Sequence, residues 1–304
     1  MKCILCGKDS KKVLTDTLRG GYKGKVYYCV GCDFAFLENT HNNIKEYYDN
    51  EYRKDPIHKE QGGYEGLFDL YSQFQKDRIE NLKPFINQKT ILLEVGCSVG
   101  MFLYHIKDHV KSAIGVDYDS NAAYFAMHKT HCAVIDDDIV KTHIKKGSLD
   151  VICAFQTLEH VIDPFSFIKK YSQYLKKGGL IYIEVPNLHD ALVDVYKLPN
   201  YFKFYFHPEH LWYFSEKSLL KLMEKVGFNG KVKFIQSYNL FNHIQWINND
   251  VGQNNCSLGL SDPQVKFRGD FDFYYFFKKI DKIYKSILSD FKKTDNLHYI
   301  GIKK

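Results

Sequence analysis

Residues 90–119 read T-ILLEV-GCSVG-MFLYHIKDHVKS-AIGV-DYD, and the rest of the chain is arranged around them. Ile91 to Val95 is a short apolar run of the kind that fills a buried parallel strand. A turn follows, with glycine at Gly96 and Gly100. Met101, Phe102, Tyr104, His105 and Ile106 then begin the apolar side of a helix. A second apolar run, Ala113 to Val116, stops at Asp117. Strand, glycine turn, helix, strand and acid make one βαβ unit, which places a ligand at the carboxyl ends of its strands.

The turn narrows the ligand. Glycine lets a ligand approach the backbone, a helix N-terminus offers N–H groups, and an acid about 20 residues on suits ribose hydroxyls. The nicotinamide fingerprint G-x-G-x-x-G requires glycine where this chain has Ser98 and Met101. Those glycines serve a pyrophosphate, so a nucleoside without one tolerates their loss. The stretch resembles the first motif of class I S-adenosylmethionine-dependent methyltransferases, E-x-G-x-G-x-G. Glu94, Gly96 and Gly100 match, and Ser98 stands in place of the middle glycine.

The βα pattern continues. Asn121 to Lys129 reads as a helix and Cys132 to Ile135 as a third strand, followed by Asp136-Asp137-Asp138-Ile139. Leu149 to Ala154 is a fourth strand leading into F-Q-T-L-E-H-V at 155–161, which resembles the family's L-E-H-V segment. Asp163-Pro164 opens a helix by N-cap and N1 chemistry, expected to end at Gly178-Gly179. Leu180 to Val185 is the fifth strand, and its K-K-G-G-L-I-Y-I-E-V-P-N setting is again similar to the family. Ser215 caps a helix running to Val226 and ended by Gly227. Lys231 to Gln236 and Leu297 to Ile302 read as the sixth and seventh strands.

The resemblance implies a doubly wound, seven-stranded Rossmann-like methyltransferase sheet with S-adenosylmethionine as cofactor. The expected cofactor residues are Glu94, Gly96, Cys97, Gly100, Asp117 and Tyr118 around the first turn. After the third strand they are Asp138 and Ile139, with Asp138 in the position that binds the adenine amino group. After the fourth strand they are Phe155 and Gln156.

Two cysteine pairs, Cys3-Ile-Leu-Cys6 and Cys29-Val-Gly-Cys32, are separated by 22 residues. Two such knuckles place four thiolates around one tetrahedral zinc, and residues 1–40 resemble a zinc ribbon. Cys97, Cys132, Cys153 and Cys256 are scattered and read as small buried hydrophobes. A metal-type cysteine set beginning at residue 3, with no run of transmembrane length, points to a reducing, cytoplasmic compartment. The net charge is +6, and residues 1–60 hold 11 Lys or Arg against 9 Asp or Glu. A nucleic-acid finger would carry a basic stripe, so the ribbon reads as a folding cap or substrate-side lid.

The sequence also bears on the acceptor. Base-directed amine methyltransferases usually carry an N-P-P-Y-like motif after the fourth strand, where this chain has A-F-Q-T. Base-carbon methyltransferases need a nucleophilic cysteine there, and Cys153 lies inside the strand. The chain offers histidine instead: His160, His207, His210 and His243. Histidine suits removal of a hydroxyl proton during methyl transfer. His210 is the expected base, with His160, expected to open a helix after the fourth strand, as its rival, and His207, Glu209, Tyr213, Asn242 and His243 are expected at the acceptor. The segment Tyr238-Asn-Leu-Phe-Asn242-His243 resembles one in bacterial methyltransferases that pair this core with an N-terminal zinc ribbon, and that resemblance implies a link to sugar and surface-polysaccharide modification. The expected acceptor is therefore a sugar or nucleotide-activated sugar, methylated on oxygen. Sugar N- or C-methylation and rRNA base methylation are the alternatives.

Residues 41–75 read as a linker and lid running into a helix from about Phe68 to Lys83, with Tyr64 and Tyr71 read first as packing tyrosines and second as lining for the cofactor pocket. The methyltransferase domain spans 76–304, with a helical insertion at about 240–295. In that insertion Phe273, Phe277, Ile280, Tyr284, Ile287 and Phe291 form an apolar stripe at helical spacing. It is expected to pack on the domain or in a homodimer.

Overall fold

The computed structural model describes residues 1–38, 62–72, 74–136, 140–250 and 273–304, the side chains of 136, 141, 273 and 274 excepted. Its main sheet is built on β4 (Ile91–Val95), four of whose five residues are buried. β4 pairs in parallel with β5 (Ser112–Asp117) on one side and β7 (Leu149–Phe155) on the other. β5 pairs in parallel with β6 (Ala133–Asp136), and β7 with β8 (Leu175–Pro186). β10 (Phe228–Ile235) and β11 (Asn296–Lys303) complete the seven-stranded order β10-β11-β8-β7-β4-β5-β6. This is the expected Rossmann-like α/β fold. The strand order reverses at β4, so the carboxyl ends of β4, β5 and β7 surround the topological switch point where such sheets bind ligands.

The core of this sheet joins Leu92, Val151, Leu180 and Tyr182 to Phe102, Leu103 and Ile106 of the helix Met101–Ile106. Each such side chain contributes roughly 1.5–3 kcal/mol on burial. The helix ends obey local chemistry. Asp119 caps Ser120–Thr130 by accepting from Asn121 N–H and Ala122 N–H. Asp163 caps Pro164–Ser172 in the same way. The Ser215 hydroxyl accepts from Ser218 N–H at 3.2 Å, opening Glu216–Lys225.

Three sequence expectations are corrected. The single helix from Phe68 to Lys83 is instead two, Gly63–Ser72 and Lys76–Leu82, followed by a 3-10 turn holding Pro84. The helix after Asp163 stops at Ser172, and β8 already begins at Leu175. Gly178-Gly179 therefore lies inside β8, with Gly178 at φ 74° and an irregular register against β7 there. A glycine in left-handed backbone serves a strand irregularity as well as a helix stop. Third, His160 does not open a helix; its N–H donates to Thr157 O in a tight turn.

Two compact units are distinguished, one within 1–39, 185–222 and 232–298, the other within 40–184, 223–231 and 299–304. This division differs from the linear order of ribbon, linker and methyltransferase domain. In the first unit the ribbon strands β1 (Lys12–Thr17), β2 (Lys23–Cys29) and β3 (Phe34–Leu37) do not close alone. β9 (Trp212–Phe214) adds antiparallel to β3, setting Phe34 opposite Phe214 and Phe36 opposite Trp212. The Ser215 hydroxyl donates to Asp33 O at 2.5 Å, and His189 Nε2 lies 2.8 Å from an Asp33 carboxylate oxygen. The ribbon is thus completed by residues about 180 positions further along the chain.

The insertion's helix Phe273–Asp290 buries Phe277, Asp281 and Leu288, with Tyr284 half-buried. Ile287 and Phe291, expected in the apolar stripe, are 46% and 73% exposed. The buried face runs through positions 277, 281, 284 and 288, so the stripe is covered only in part. The side chain of Phe273 lies outside the described residues. No helix among the described residues is long and apolar enough to cross a membrane.

Candidate active site and metal centre

The turn after β4 is closed by its own backbone. Gly96 N–H and Cys97 N–H both donate to Val116 O, at 2.7 and 3.1 Å, and Gly100 N–H donates to Cys97 O at 2.9 Å. Gly96 and Gly100 adopt left-handed backbone, φ 77° and 81°. A Cβ on Gly96 would lie 2.4 Å from the Thr157 hydroxyl oxygen, so this position needs glycine twice over. Ser98, which replaces the family's middle glycine, is also left-handed at φ 48°. For a non-glycine residue that costs roughly 1–2 kcal/mol. The Ser98 N–H donates to Asp117 Oδ2 at 2.7 Å and so helps offset that cost.

Asp117 is fixed from both sides, since its Oδ1 accepts from Asp119 N–H at 2.9 Å. Tyr118 beside it is 40% exposed. The Tyr64 hydroxyl, on the helix Gly63–Ser72, reaches the Asp119 carboxylate at 3.3 Å. Glu94 is buried, and its Oε2 has no hydrogen-bond partner among the described residues. Burial holds its pKa well above the ordinary carboxylate range, against the pull of Arg78 and with the help of Asp117 and Glu184. A protonated carboxyl with an unused oxygen is suited to a polar ligand group. The residues at this turn therefore fit a nucleoside-type cofactor.

Other expected cofactor residues are placed differently. Cys97 turns its sulfur into the core, 2.7 Å from where a Cβ on Gly115 would lie. With its amide bonded to Val116 O, neither group is offered to a ligand. Phe155 is also a core residue, edge-to-face with Phe102 and Tyr182 at centroid distances of 4.8 and 5.0 Å. Gln156 is the fourth left-handed position here, φ 50°. Its amide Nε2 donates to Glu184 Oε1 at 3.0 Å. Asp138 and Ile139 lie outside the described residues.

Glu184 belongs to a network absent from the sequence reading. Arg78 Nε and Nη2 donate to its two carboxylate oxygens at 2.7 and 2.6 Å, Nη1 donates to Gln75 Oε1 at 2.8 Å, and the guanidinium lies 4.5 Å from the Phe155 ring centroid. No local motif marks a pair 106 residues apart. The side chains of Arg78 and Glu184 are 18% and 6% exposed. Removing one partner of such a pair strands the other charge. Arg78→Met should lower unfolding free energy by about 3–5 kcal/mol in denaturant titration; a loss below about 1 kcal/mol would show that the pair is effectively solvated.

Glu159 follows β7 and is fully buried, with neither carboxylate oxygen hydrogen-bonded among the described residues. Burial pushes its pKa up to about 8. An acid raised in the folded state contributes its full stability below its unfolded value of about 4.3, and that contribution is lost as pH rises through the folded value. Glu159→Gln should therefore match wild type in melting temperature near pH 4 and exceed it by a margin that grows up to about pH 8 and levels off above that. A constant difference across that range would contradict the buried, protonated assignment. His160 Nε2 lies 3.9 Å from Glu159 Oε1.

In the other unit, His207 and His210 stack at 4.4 Å with rings 20° apart, and His207 Nδ1 lies 3.5 Å from Glu209 Oε2. The His210 ring is 5.9 Å from that of Tyr213, whose hydroxyl donates to His207 O at 3.1 Å. These four expected acceptor-side residues are thus brought together. His243 is not in that group of contacts. It is buried, with Nε2 3.2 Å from Gln236 Nε2 and Nδ1 2.6 Å from the Tyr284 hydroxyl. The Gln236 amide donates, so Nε2 accepts and Nδ1 carries the proton. Burial, with Lys285 second, pulls its pKa down to about 3. Both ring nitrogens serve the interior. Asn242 is buried beside it in the helix Leu240–Asn249, its N–H bonded to Asn239 Oδ1 at 3.0 Å.

Cys3, Cys6, Cys29 and Cys32 bring their sulfurs within 4.8 Å of one another. Cys6 and Cys29 are 3.7 Å apart at sulfur. That is far beyond a disulfide bond of about 2.05 Å and close to the edge, about 3.8 Å, of a tetrahedron with metal–sulfur bonds of about 2.3 Å. Each knuckle is a tight turn, with Gly7 N–H donating to Cys3 O at 2.8 Å and Cys32 N–H to Cys29 O at 3.2 Å. Lys8 N–H is the main cause pulling the Cys6 thiol down to about 7, and Lys221 Nζ donates to Cys32 Sγ at 3.3 Å. The donor set fits one tetrahedral, thiophilic ion.

Residues 68–231, more than half of the chain, match the family described as a methyltransferase domain. A Mycobacterium tuberculosis protein named a probable S-adenosylmethionine-dependent methyltransferase is 29% identical over 97 residues, covering 32% of this chain and 35% of its own length. The human mitochondrial ubiquinone biosynthesis O-methyltransferase is 30% identical over 116 residues, covering 34% of this chain and 30% of its own. The matched stretch thus spans about a third of each of these relatives. Among solved structures, an S-adenosylmethionine-dependent methyltransferase from Archaeoglobus fulgidus superposes with a TM-score of 0.51 at 18% identity, over 81% of this chain and 98% of that one. A phosphoethanolamine N-methyltransferase from Haemonchus contortus, solved with S-adenosyl-L-methionine, gives a TM-score of 0.51 at 14% identity, over 88% of this chain and 62% of that one. The switch-point turn, the pinned acid that ends β5 and the matched residues 68–231 together make this chain a member of the S-adenosylmethionine-dependent methyltransferase-domain family.

Proposed function

We propose that this chain transfers a methyl group from S-adenosylmethionine to a hydroxyl of a sugar or nucleotide-activated sugar. The observation that carries the cofactor reading is Asp117, an acid held at the end of β5, beside the glycine turn, by the N–H groups of Ser98 and Asp119. S-adenosylmethionine supplies an electrophilic methyl group when bound. Asp117 would accept hydrogen bonds from the ribose hydroxyls, and Glu94 would face the polar end of the cofactor. The base that takes the acceptor's proton is assigned to His210, with His160 as the competing assignment; His207, Glu209 and Tyr213 set the orientation of the His210 ring.

The hydroxyl acceptor is supported by the supply of histidines and by the absence of an N-P-P-Y-like motif at 154–157. An O-methyltransferase of ubiquinone biosynthesis among the relatives agrees with oxygen as the target. The four-cysteine centre is assigned to one structural zinc held by Cys3, Cys6, Cys29 and Cys32, since structural sites close with four ligands.

Asp117→Ala should weaken S-adenosylmethionine binding by roughly 2–4 kcal/mol, the scale of charge-assisted hydrogen bonds lost to a bound ligand. Titration calorimetry on the purified chain measures this. Unchanged affinity would remove Asp117 from the cofactor site.

A further inference from the structure

Arg19 lies at the tip of the β1–β2 hairpin, in the sequence L-R-G-G-Y, where Gly20 and Gly21 adopt φ 71° and 80°. Its N–H donates to Phe206 O at 2.7 Å, and its side-chain Nε donates to Phe204 O at 2.7 Å. The guanidinium carbon stands 3.4 Å from the centroid of the Phe204 ring. Both main-chain acceptors lie at the end of the helix Pro199–Tyr205, so the residue is held at three points, two of them on its side chain, within one compact unit.

What this arrangement leaves over is the outer fork. Among the described residues Nη1 and Nη2 have no hydrogen-bond partner, and Arg19 forms no ion pair. Tyr201, Tyr213, Tyr238 and Glu209 surround it closely enough to act on its charge. The Tyr201 hydroxyl is engaged by Asp190 and the Tyr213 hydroxyl by His207 O. Burial is the main influence on the guanidinium and pulls its pKa down to about 10. The residue is only half-buried, so outer nitrogens without a protein partner are open to a bound anion. A planar, stacked fork with two such nitrogens matches the oxygen pair of a phosphate or a carboxylate, and an activated sugar carries the phosphate.

We propose that Arg19 anchors a phosphate or diphosphate ester of the acceptor, gripping it through Nη1 and Nη2 while Phe204 supports the face of the guanidinium. The diphosphate form rests on the reading of the acceptor as a nucleotide-activated sugar. Binding the unreactive phosphates would position the sugar without touching the reacting hydroxyl.

The test is titration calorimetry of the full chain with uridine diphosphate, inorganic pyrophosphate and S-adenosylmethionine. Wild type, Arg19→Gln and Arg19→Lys are compared. Arg19→Gln should weaken uridine diphosphate binding about 10- to 100-fold, the loss of charged hydrogen bonds, and leave S-adenosylmethionine affinity and melting temperature unchanged. Arg19→Lys keeps the charge without the fork and should fall between. If Arg19→Gln melts early, Arg19→Lys carries the comparison, and wild-type affinity in that variant overturns the anchor. Equal uridine diphosphate affinity in a folded Arg19→Gln also overturns it, while leaving the nucleotide-sugar reading in place. Arg19-dependent binding of pyrophosphate with no gain from the nucleoside keeps the anchor and rejects the nucleotide. Absence of binding of either anion to wild type overturns the anchor itself.

Discussion

Stripping the metal from the four-cysteine centre should unfold the ribbon and the strand that completes it. A structural zinc of this type contributes roughly 10–16 kcal/mol at neutral pH, which matches or exceeds the whole stability of a typical domain, about 5–15 kcal/mol. The ribbon's apolar content is small, and its sheet depends on β9 for a fourth strand. Trp212 makes the loss visible, because it stacks on Phe34 at 5.8 Å with rings 11° apart, two residues from Cys32. Metal analysis should give about one zinc per chain, as expected of a closed four-ligand site. Chelation, or Cys32→Ser, should shift tryptophan emission to the red and remove the cooperative thermal transition of this unit. A metal-free chain with native emission and an unchanged melting curve would sink the structural assignment, as would a disulfide among these cysteines.

The second large effect is expected at the histidines. His210→Gln should cut methyl-transfer turnover by about 10²–10⁴-fold, the range for a general base, with S-adenosylmethionine affinity unchanged. The His207 ring, itself 3.5 Å from the Glu209 carboxylate, stacks on the His210 ring and restricts it, and a base must be held in one orientation to act. His160→Gln is the paired measurement. If the loss appears there and not at His210, the base is His160. If His210→Gln lowers cofactor affinity together with turnover, His210 is a binding or folding residue and leaves the catalytic role.

The βα alternation from 90 to 185, the glycine turn at Gly96 and Gly100, the acid at Asp117 and the two cysteine knuckles were legible in the sequence. So were the caps at Asp163 and Ser215. Each is a contact between near neighbours in the chain, so residue type and spacing carry it. The sequence also marked Ser98 as a departure. Only the backbone explains it, since the position is left-handed and serine there is held by Asp117.

Tertiary structure alone decided the rest. Cys97 and Phe155 have the right place in the motif, yet their side chains fill the core, because which face of a turn is buried depends on the strands beside it. His243 looked like an acceptor residue, but Gln236 and Tyr284 occupy both its nitrogens. The Arg78–Glu184 pair, the addition of β9 to β3 and the Arg19 stack on Phe204 join segments far apart in sequence. No local period or motif encodes such meetings. They follow from the order in which the sheet brings its strands together, and a buried charge or an open strand edge has no stable alternative once the chain has folded that way.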